Sequence, residues 1–300
     1  MNNIIGHKKQ KQILRNFKEV PHAFVFEGED MIGKKTMAIA FAKLILCDYN
    51  ACNTCKTCID ISKNISPDLL FILPENNNIE INKIRELKTF LSFKSFSNKK
   101  KIAIIDDAHL MNNASQNSIL KLLEEPPKDS ILILITNFKD RLLKTIRSRV
   151  QEISFNKVLR KEIEDYLEEK GLSKEEVQEI SFFSGGKPGK ALEFFNDPLK
   201  KEFFKKTITY LNQIKTQELQ KRFAYVETIY KDKEIASEIL DIFERFFRRE
   251  MLLKLYSKHG INDSLLQTKN IISKVQETKY FLNNTNTNKK LLLENLMINI

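Results

Sequence analysis

Lys101-Ile102-Ala103-Ile104-Ile105-Asp106-Asp107-Ala108-His109-Leu110 is the stretch on which the fold turns. An apolar run closed by two carboxylates predicts a strand buried on both faces, as in a parallel sheet. Such a strand delivers its acids to the carboxyl edge, where open α/β sheets bind ligands. This is the Walker B position of a nucleotide-type core. Downstream, a helix through Ser118-Ile119-Leu120-Lys121-Leu122-Leu123-Glu124-Glu125 is expected to stop at Pro126-Pro127, because proline disfavours the helical conformation in the residue before it. A second apolar strand, Ile131 to Ile135, ends in Thr136-Asn137, and the stretch closes on Thr145-Ile146-Arg147-Ser148-Arg149-Val150.

Upstream, the loop Gly28-Glu29-Asp30-Met31-Ile32-Gly33-Lys34-Lys35-Thr36 decides the chemistry. Gly28, Gly33 and Lys34 satisfy G-x-x-x-x-G-K, but the hydroxyl that should follow is missing. In a working phosphate loop the lysine reaches the outer phosphates and a Ser/Thr oxygen holds Mg²⁺. Lys35 stands in that last place, where an ammonium repels the metal, and Thr36 lies a further ~100° round the helix. Glu29 and Asp30 add negative charge to a loop that should attract anions. The expected outcome is a phosphate loop kept as a turn, without ATP or Mg²⁺. Asp106 has the position to hold Mg²⁺ through water, while Asp107 is one methylene shorter than the glutamate that would orient an attacking water. The plainer reading, preferred here, is a pair of strand-end carboxylates capping the next helix.

All four cysteines follow the next predicted helix, Met37 to Leu46, as Cys47, Cys52, Cys55 and Cys58. Clustered cysteines in a cytosolic chain argue for metal rather than disulfides. Four thiolates at this spacing can close a tetrahedral zinc site of the structural kind. An iron–sulfur cluster is the competing reading, since Cys52, Cys55 and Cys58 repeat the C-x2-C-x2-C run, although no Cys-Pro follows.

The wording Ala114-Ser115-Gln116-Asn117-Ser118 through Pro126-Pro127, followed by Thr145-Ile146-Arg147-Ser148-Arg149, resembles bacterial clamp-loader subunits of the AAA+ class, components of DNA polymerase III. The resemblance covers most of residues 1–195 and, more weakly, the C-terminal end. It implies an α/β AAA+ P-loop core, a parallel sheet flanked by helices, over residues 1–155, with a four-cysteine zinc knob inserted at 47–58. A three-helix lid at 156–197 and an all-α collar at 198–300 would follow.

In that family Arg149 would leave its own subunit as an arginine finger and reach a neighbour's nucleotide, a contribution worth roughly 10³–10⁵ in rate. The alternative for Arg149 is pairing with a nearby acid or with the carboxyl end of the preceding helix. Gly28, Gly33, Lys34, Asp106, Asp107, Thr136 and Lys190 match nucleotide-site positions. Several positions depart from the family's pattern: Met31 replaces a frequent glycine, Lys190 the arginine of the sensor 2 segment, Val150 the cysteine after the finger, and the gap from Cys47 to Cys52 is short. The resemblance therefore implies a member that does not hydrolyse ATP, within an ATP-driven hetero-pentamer. Its partners would be tau/gamma ATPase subunits and delta, with the sliding clamp and primed DNA reached through the complex. An active ATPase using Lys34, Asp106 and Thr136, and a zinc-dependent DNA-binding module, are the alternatives.

Composition adds bounds. Three hundred residues at 42% hydrophobic content allow two or three cores, and no apolar run approaches the ~18 residues of a membrane span. The start lacks the charged-then-apolar pattern of a secretory leader, so the cytoplasm is the expected location. The charge of +11 suits a phosphate backbone but equally a lysine-rich solvated surface. Of smaller features, Ile5 to Phe17 is expected to form a lysine-rich helix with His7 as a surface or capping residue, and Lys99-Lys100-Lys101 a solvated loop. Phe243, Phe246 and Phe247 beside Arg245, Arg248 and Arg249 read as a core or interface stripe, and Asn283 to Asn288 as a polar turn.

Overall fold

The computed structural model describes residues 4–97, 99–256 and 263–300. They fall into two compact units, Met1–Leu172 with Gly186–Lys190, and Ser173–Gly185 with Ala191–Ile300.

The first unit is built on a parallel sheet. In chain order its elements are α1 (Lys8–Arg15), β1 (Ala23–Glu27), α2 (Lys34–Leu46), α3 (Lys56–Ser62), β2 (Leu69–Ile72), α4 (Ile81–Ser92), β3 (Lys101–Ile105), α5 (Asn113–Glu124), β4 (Ser130–Thr136), α6 (Lys144–Arg147), β5 (Gln151–Ser154) and α7 (Arg160–Glu169). The strands lie side by side as β2-β3-β4-β1-β5, every neighbouring pair parallel. Period-two alternation assigns each strand residue to one of two cores. Phe24, Phe26, Ile102, Ile104, Ile131 and Ile133 pack with Met37, Ala38, Phe41 and Ala42 of α2. On the other face Val25, Ala103, Ile105, Leu132 and Leu134 meet Ile84, Leu87 and Leu91 of α4 and Ile119, Leu122 and Leu123 of α5. Residues buried on both faces are why β3 and β4 read as unbroken apolar runs. This is the expected AAA+ core, with helices flanking a five-stranded sheet.

Two local expectations are corrected. The lysine run is not a solvated loop: Lys101 opens β3 at 8% exposure, bonds the Pro67 carbonyl at 3.2 Å and lies over the Phe90 ring. Lys99 pairs with Asp48 and Lys100 with Asp129. Strand β5 was not foreseen because only Ile153 of its four residues is buried, leaving no alternation to read.

The second unit is helical: α8 (Lys174–Ser184), the later part of α9 (Pro188–Asn196), α10 (Pro198–Gln213), α11 (Leu219–Ile229), α12 (Lys233–Tyr256), α13 (Asp263–Asn284) and α14 (Lys289–Ile298). The Ser173 hydroxyl caps α8 by accepting from the Glu176 amide, and Asp197 caps α10 ahead of a proline at its first position. Phe243 and Phe247 are wholly buried, so the phenylalanine stripe is core. Of the asparagine run expected as a turn, Asn283 and Asn284 still belong to α13; residues 285–287 make the turn and Asn288 caps α14. Among the described residues no helix is long and apolar enough to cross a membrane.

Candidate nucleotide cleft and candidate metal centre

The carboxyl edge of the sheet forms the cleft that the sequence pointed to. Chain leaving β1 turns at Gly28, where φ is 155° and an added Cβ would sit 2.4 Å from the Phe155 carbonyl oxygen, so the position requires glycine. Met31 then adopts φ 60°, a left-handed conformation that costs a side chain roughly 1–2 kcal/mol. Gly33, at φ 101°, starts α2, which therefore begins at Lys34, three residues before the predicted Met37. A cleft of about 210 Å³ results, lined by Asp30, Met31, Ile32, Gly33, Lys34, Lys35, Thr36, Asp106, Asp107, Ile135, Asn137 and Gly189. Ligand clefts are usually ~300–1,000 Å³.

Its cations are already engaged. Lys34, 5% exposed, donates to the Gly28 carbonyl at 2.7 Å, the Glu29 carbonyl at 2.6 Å and Asn137 Oδ1 at 2.7 Å. Those bonds use all three ammonium donors, and burial lowers the pKa of the group. The neighbouring Lys35 ammonium lies 3.1 Å from Asp106 Oδ2. The two charges thus pair with one another at the cleft. Asp107 sits at φ 46° with its pKa raised, first by burial and then by the charge of Asp106. Its side chain makes no capping bond to the short 3₁₀ turn Ala108–Leu110, so the capping expectation fails. The Asp106 carboxylate accepts from the Asp107 amide at 3.2 Å and pairs with Lys35.

Other candidates divide. Gly28, Gly33, Lys34, Asp106 and Asp107 converge on this edge. Thr136 is fully buried; its Oγ1 accepts from the Phe138 amide at 3.0 Å and lies 3.3 Å from His109 Nδ1. The adjacent Asn137 faces the cleft instead, and sequence reasoning passed over it although strand alternation turns it away from buried Thr136. Lys190 is buried, while Gly189 beside it lines the cleft and donates its amide to the Met31 carbonyl at 2.7 Å. His7 stands at the N-cap position of α1, its carbonyl accepting from the Lys11 amide, but its side chain does not cap and is not on the surface: it is 7% exposed, its Nε2 lies 2.8 Å from the Ile32 carbonyl, and its ring meets Phe155 edge-on. Burial holds its pKa below the usual value. Glu29 reaches Lys157 at 2.9 Å and Lys187 at 3.0 Å.

Arg149 follows α6 and does not line the cleft of its own chain. Its guanidinium pairs with Glu124 at 3.0 Å and donates to the Thr145 carbonyl at 3.0 Å. The acid named in its alternative reading therefore exists, at the end of α5.

The four cysteines come together between α2 and α3, with one sulfur from each within 4.8 Å of all the others. Cys47 Sγ is 3.8 Å from Cys52 Sγ and 3.6 Å from Cys55 Sγ. Within the short gap Asn50 and Ala51 take positive φ, which turns the chain back, and Asn53 just beyond Cys52 does the same; asparagine tolerates that conformation best after glycine. Backbone amides of Tyr49, Cys55 and Cys58 point at Cys47, Cys52 and Cys55 respectively. Bonds from Thr54 and the Cys55 amide bring the Cys52 thiol down to about 6, whereas burial pushes Cys58 up to about 12. This cluster can hold a metal ion, whose charge would offset the burial of Cys58.

The sequence model of the family described as "DNA polymerase III, delta subunit" matches residues 6–159. DNA polymerase III subunit delta' of Bacillus subtilis (strain 168) is 37% identical over 155 residues, 51% of this chain and 47% of that protein. DNA polymerase III subunit tau of the same organism is 31% identical over 163 residues, 52% of this chain and 29% of that protein. The chain thus spans about half the length of the first of these relatives and less of the second. Among solved structures, a DNA polymerase III gamma subunit-related protein from Thermotoga maritima aligns over 97% of each chain, at 20% identity and a TM-score of 0.48.

Proposed function

The chain belongs to the DNA polymerase III, delta subunit family, and from that premise we propose that it is a delta-prime-type subunit of the bacterial clamp loader, working without hydrolysing ATP. The observation that carries this reading is the Lys35 ammonium on Asp106, 3.1 Å from the carboxylate that would otherwise face Mg²⁺. A metal cannot share that position with a lysine at acceptable electrostatic cost. With Lys34 tied to its own loop, neither the outer phosphates nor the metal finds its usual partner. The same lysine disfavours the alternative of an active tau/gamma-like ATPase.

The work of the chain is then done through surfaces. Arg149 is assigned as the finger that reaches the nucleotide of an adjacent ATPase subunit, leaving Glu124 on assembly. The core, the lid helices and the helical C-terminal collar give the ring a fixed member. Partners are the tau/gamma subunits and delta in a hetero-pentamer, which loads the sliding clamp at primed DNA, all in the cytoplasm. The cysteines are assigned to structural zinc. A tetrahedron with ~2.3 Å arms has sulfur–sulfur edges of about 3.8 Å, close to the spacings between Cys47 and its neighbours. An iron–sulfur cluster would need its thiolates spread around several metal atoms.

The test mixes this chain with the tau/gamma and delta subunits, the clamp and primed DNA, and measures ATP turnover. Arg149→Ala should remove the share of stimulated turnover that comes from the site it serves, with the assembly intact by size-exclusion chromatography, since losing a single finger of the kind costs ~10³ or more at its own site. Full turnover by an assembled Arg149→Ala complex would remove the trans role.

A further inference from the structure

Three of the four clustered cysteines belong to the 52–58 segment, whereas Cys47 is the residue that ends α2, a helix of the core. A four-sulfur site therefore depends on where that helix end is held. Lys99, from the chain just before β3, grips it on both sides of the cysteine. Its ammonium donates to the Leu46 carbonyl at 3.1 Å and lies 2.5 Å from Asp48 Oδ1. We propose that Lys99 is a positioning residue of the metal centre, fixing Cys47 for the ion and so raising the affinity of the four cysteines for zinc.

The ammonium is itself presented from a fixed place. Just before it, the Phe96 and Ser97 amides donate to the two oxygens of Asp68 at 2.7 and 2.8 Å, and Asp68 is 3% exposed. Just after it, Lys101 enters β3 with its amide bonded to the Asp129 carbonyl at 2.8 Å. The Lys99 side chain is 28% exposed, against 75% for Asp48. Leu46 packs in the same core as Phe41 and Ala42. The bond to its carbonyl satisfies one of the acceptors that a helix leaves open at its carboxyl end, where a cation is also favoured by the dipole. An ordinary surface pair would join Lys99 to Asp48 alone and contribute little. Holding residues 46 and 48 with one group instead fixes the backbone of the cysteine between them. That backbone aims the Cys47 sulfur at Cys52 and Cys55, 3.8 and 3.6 Å away. Order present before the ion arrives is not charged against its binding. Groups that hold a metal ligand in place act on affinity in this way, although they never touch the metal.

The inference rests on the cysteines holding zinc, and its test separates the two. Zinc affinity of the full chain is measured by competition with a chromogenic chelator, and folding by urea denaturation of the metal-free chain. Lys99→Met keeps the aliphatic stem and removes the ammonium; it should weaken zinc binding about tenfold, the lower end of what partners behind a metal ligand supply. Lys99→Arg, which keeps a cationic donor, should recover most of that loss. Asp48→Asn leaves the bond to the Leu46 carbonyl and should cost no more than about threefold, the worth of an exposed pair. Equal zinc affinity in wild type and Lys99→Met would overturn the proposal, even with a lowered urea midpoint, because Lys99 would then serve the fold alone. A loss in Asp48→Asn as large as in Lys99→Met would overturn it as well, by moving the effect to the ion pair. A wild type that takes up no zinc would instead remove the metal assignment, and the role of Lys99 with it.

Discussion

At the scale of single residues, the account depends on lysines that have taken over the tasks of ligands. Lys34 and Lys35 are consecutive, yet one is buried in its own loop and the other holds a Walker B acid. Around them, positions with no freedom to change carry predictions. Gly28→Ala should destabilise the chain by about 3 kcal/mol in urea denaturation, since it combines a forbidden φ with a clash against a backbone oxygen. That oxygen has little freedom to retreat, because the Phe155 amide is bonded to Glu27 at 2.7 Å.

His7 gives a pH dependence. Its folded-state pKa lies below the unfolded 6.5, so the unfolded chain binds the proton more readily. The stability it contributes is complete above about pH 6.5 and is lost as the pH falls through the lowered folded value. Urea midpoints should therefore drop between pH 7 and pH 5, and His7→Gln should flatten part of that slope. The rest belongs to His109, shifted the same way by burial. A wild-type midpoint that rises on acidification would contradict the burial argument.

Elements differ in how far the sequence disclosed them. Strands β3 and β4 were legible because burial on both faces leaves continuous apolar runs, and α5 because a diproline marks its end. Its start is equally local: Asn112 Oδ1 accepts from the Ser115 amide at 2.9 Å, and Asn112→Ala should cost about 1 kcal/mol. The cysteine cluster was legible because its four members lie within twelve residues, Cys47 to Cys58. The pairing of Lys34 with Asn137 was not, since it joins residues 103 positions apart that only the sheet order brings together. Glu29 with Lys187 is hidden for the same reason. His7 was misjudged because a polar residue beside a helix start looks exposed until the chain packs over it. For the cysteine element, metal analysis should find one zinc per chain. Cys58→Ser should abolish it and release the amides of α3 to exchange while those of β3 stay protected.

For the whole molecule, the central claim is that a nucleotide-motor fold has been kept as a scaffold while its cleft is filled by the chain's own charged groups. Both parallel-sheet cores are complete and need no ligand to close them. The most direct test titrates the isolated chain with ATP in a calorimeter, with and without Mg²⁺, and follows phosphate release over the same range. We predict no release above background and no heat that depends on Mg²⁺. Mg²⁺-dependent binding with turnover, both abolished by Asp106→Asn, would contradict the account.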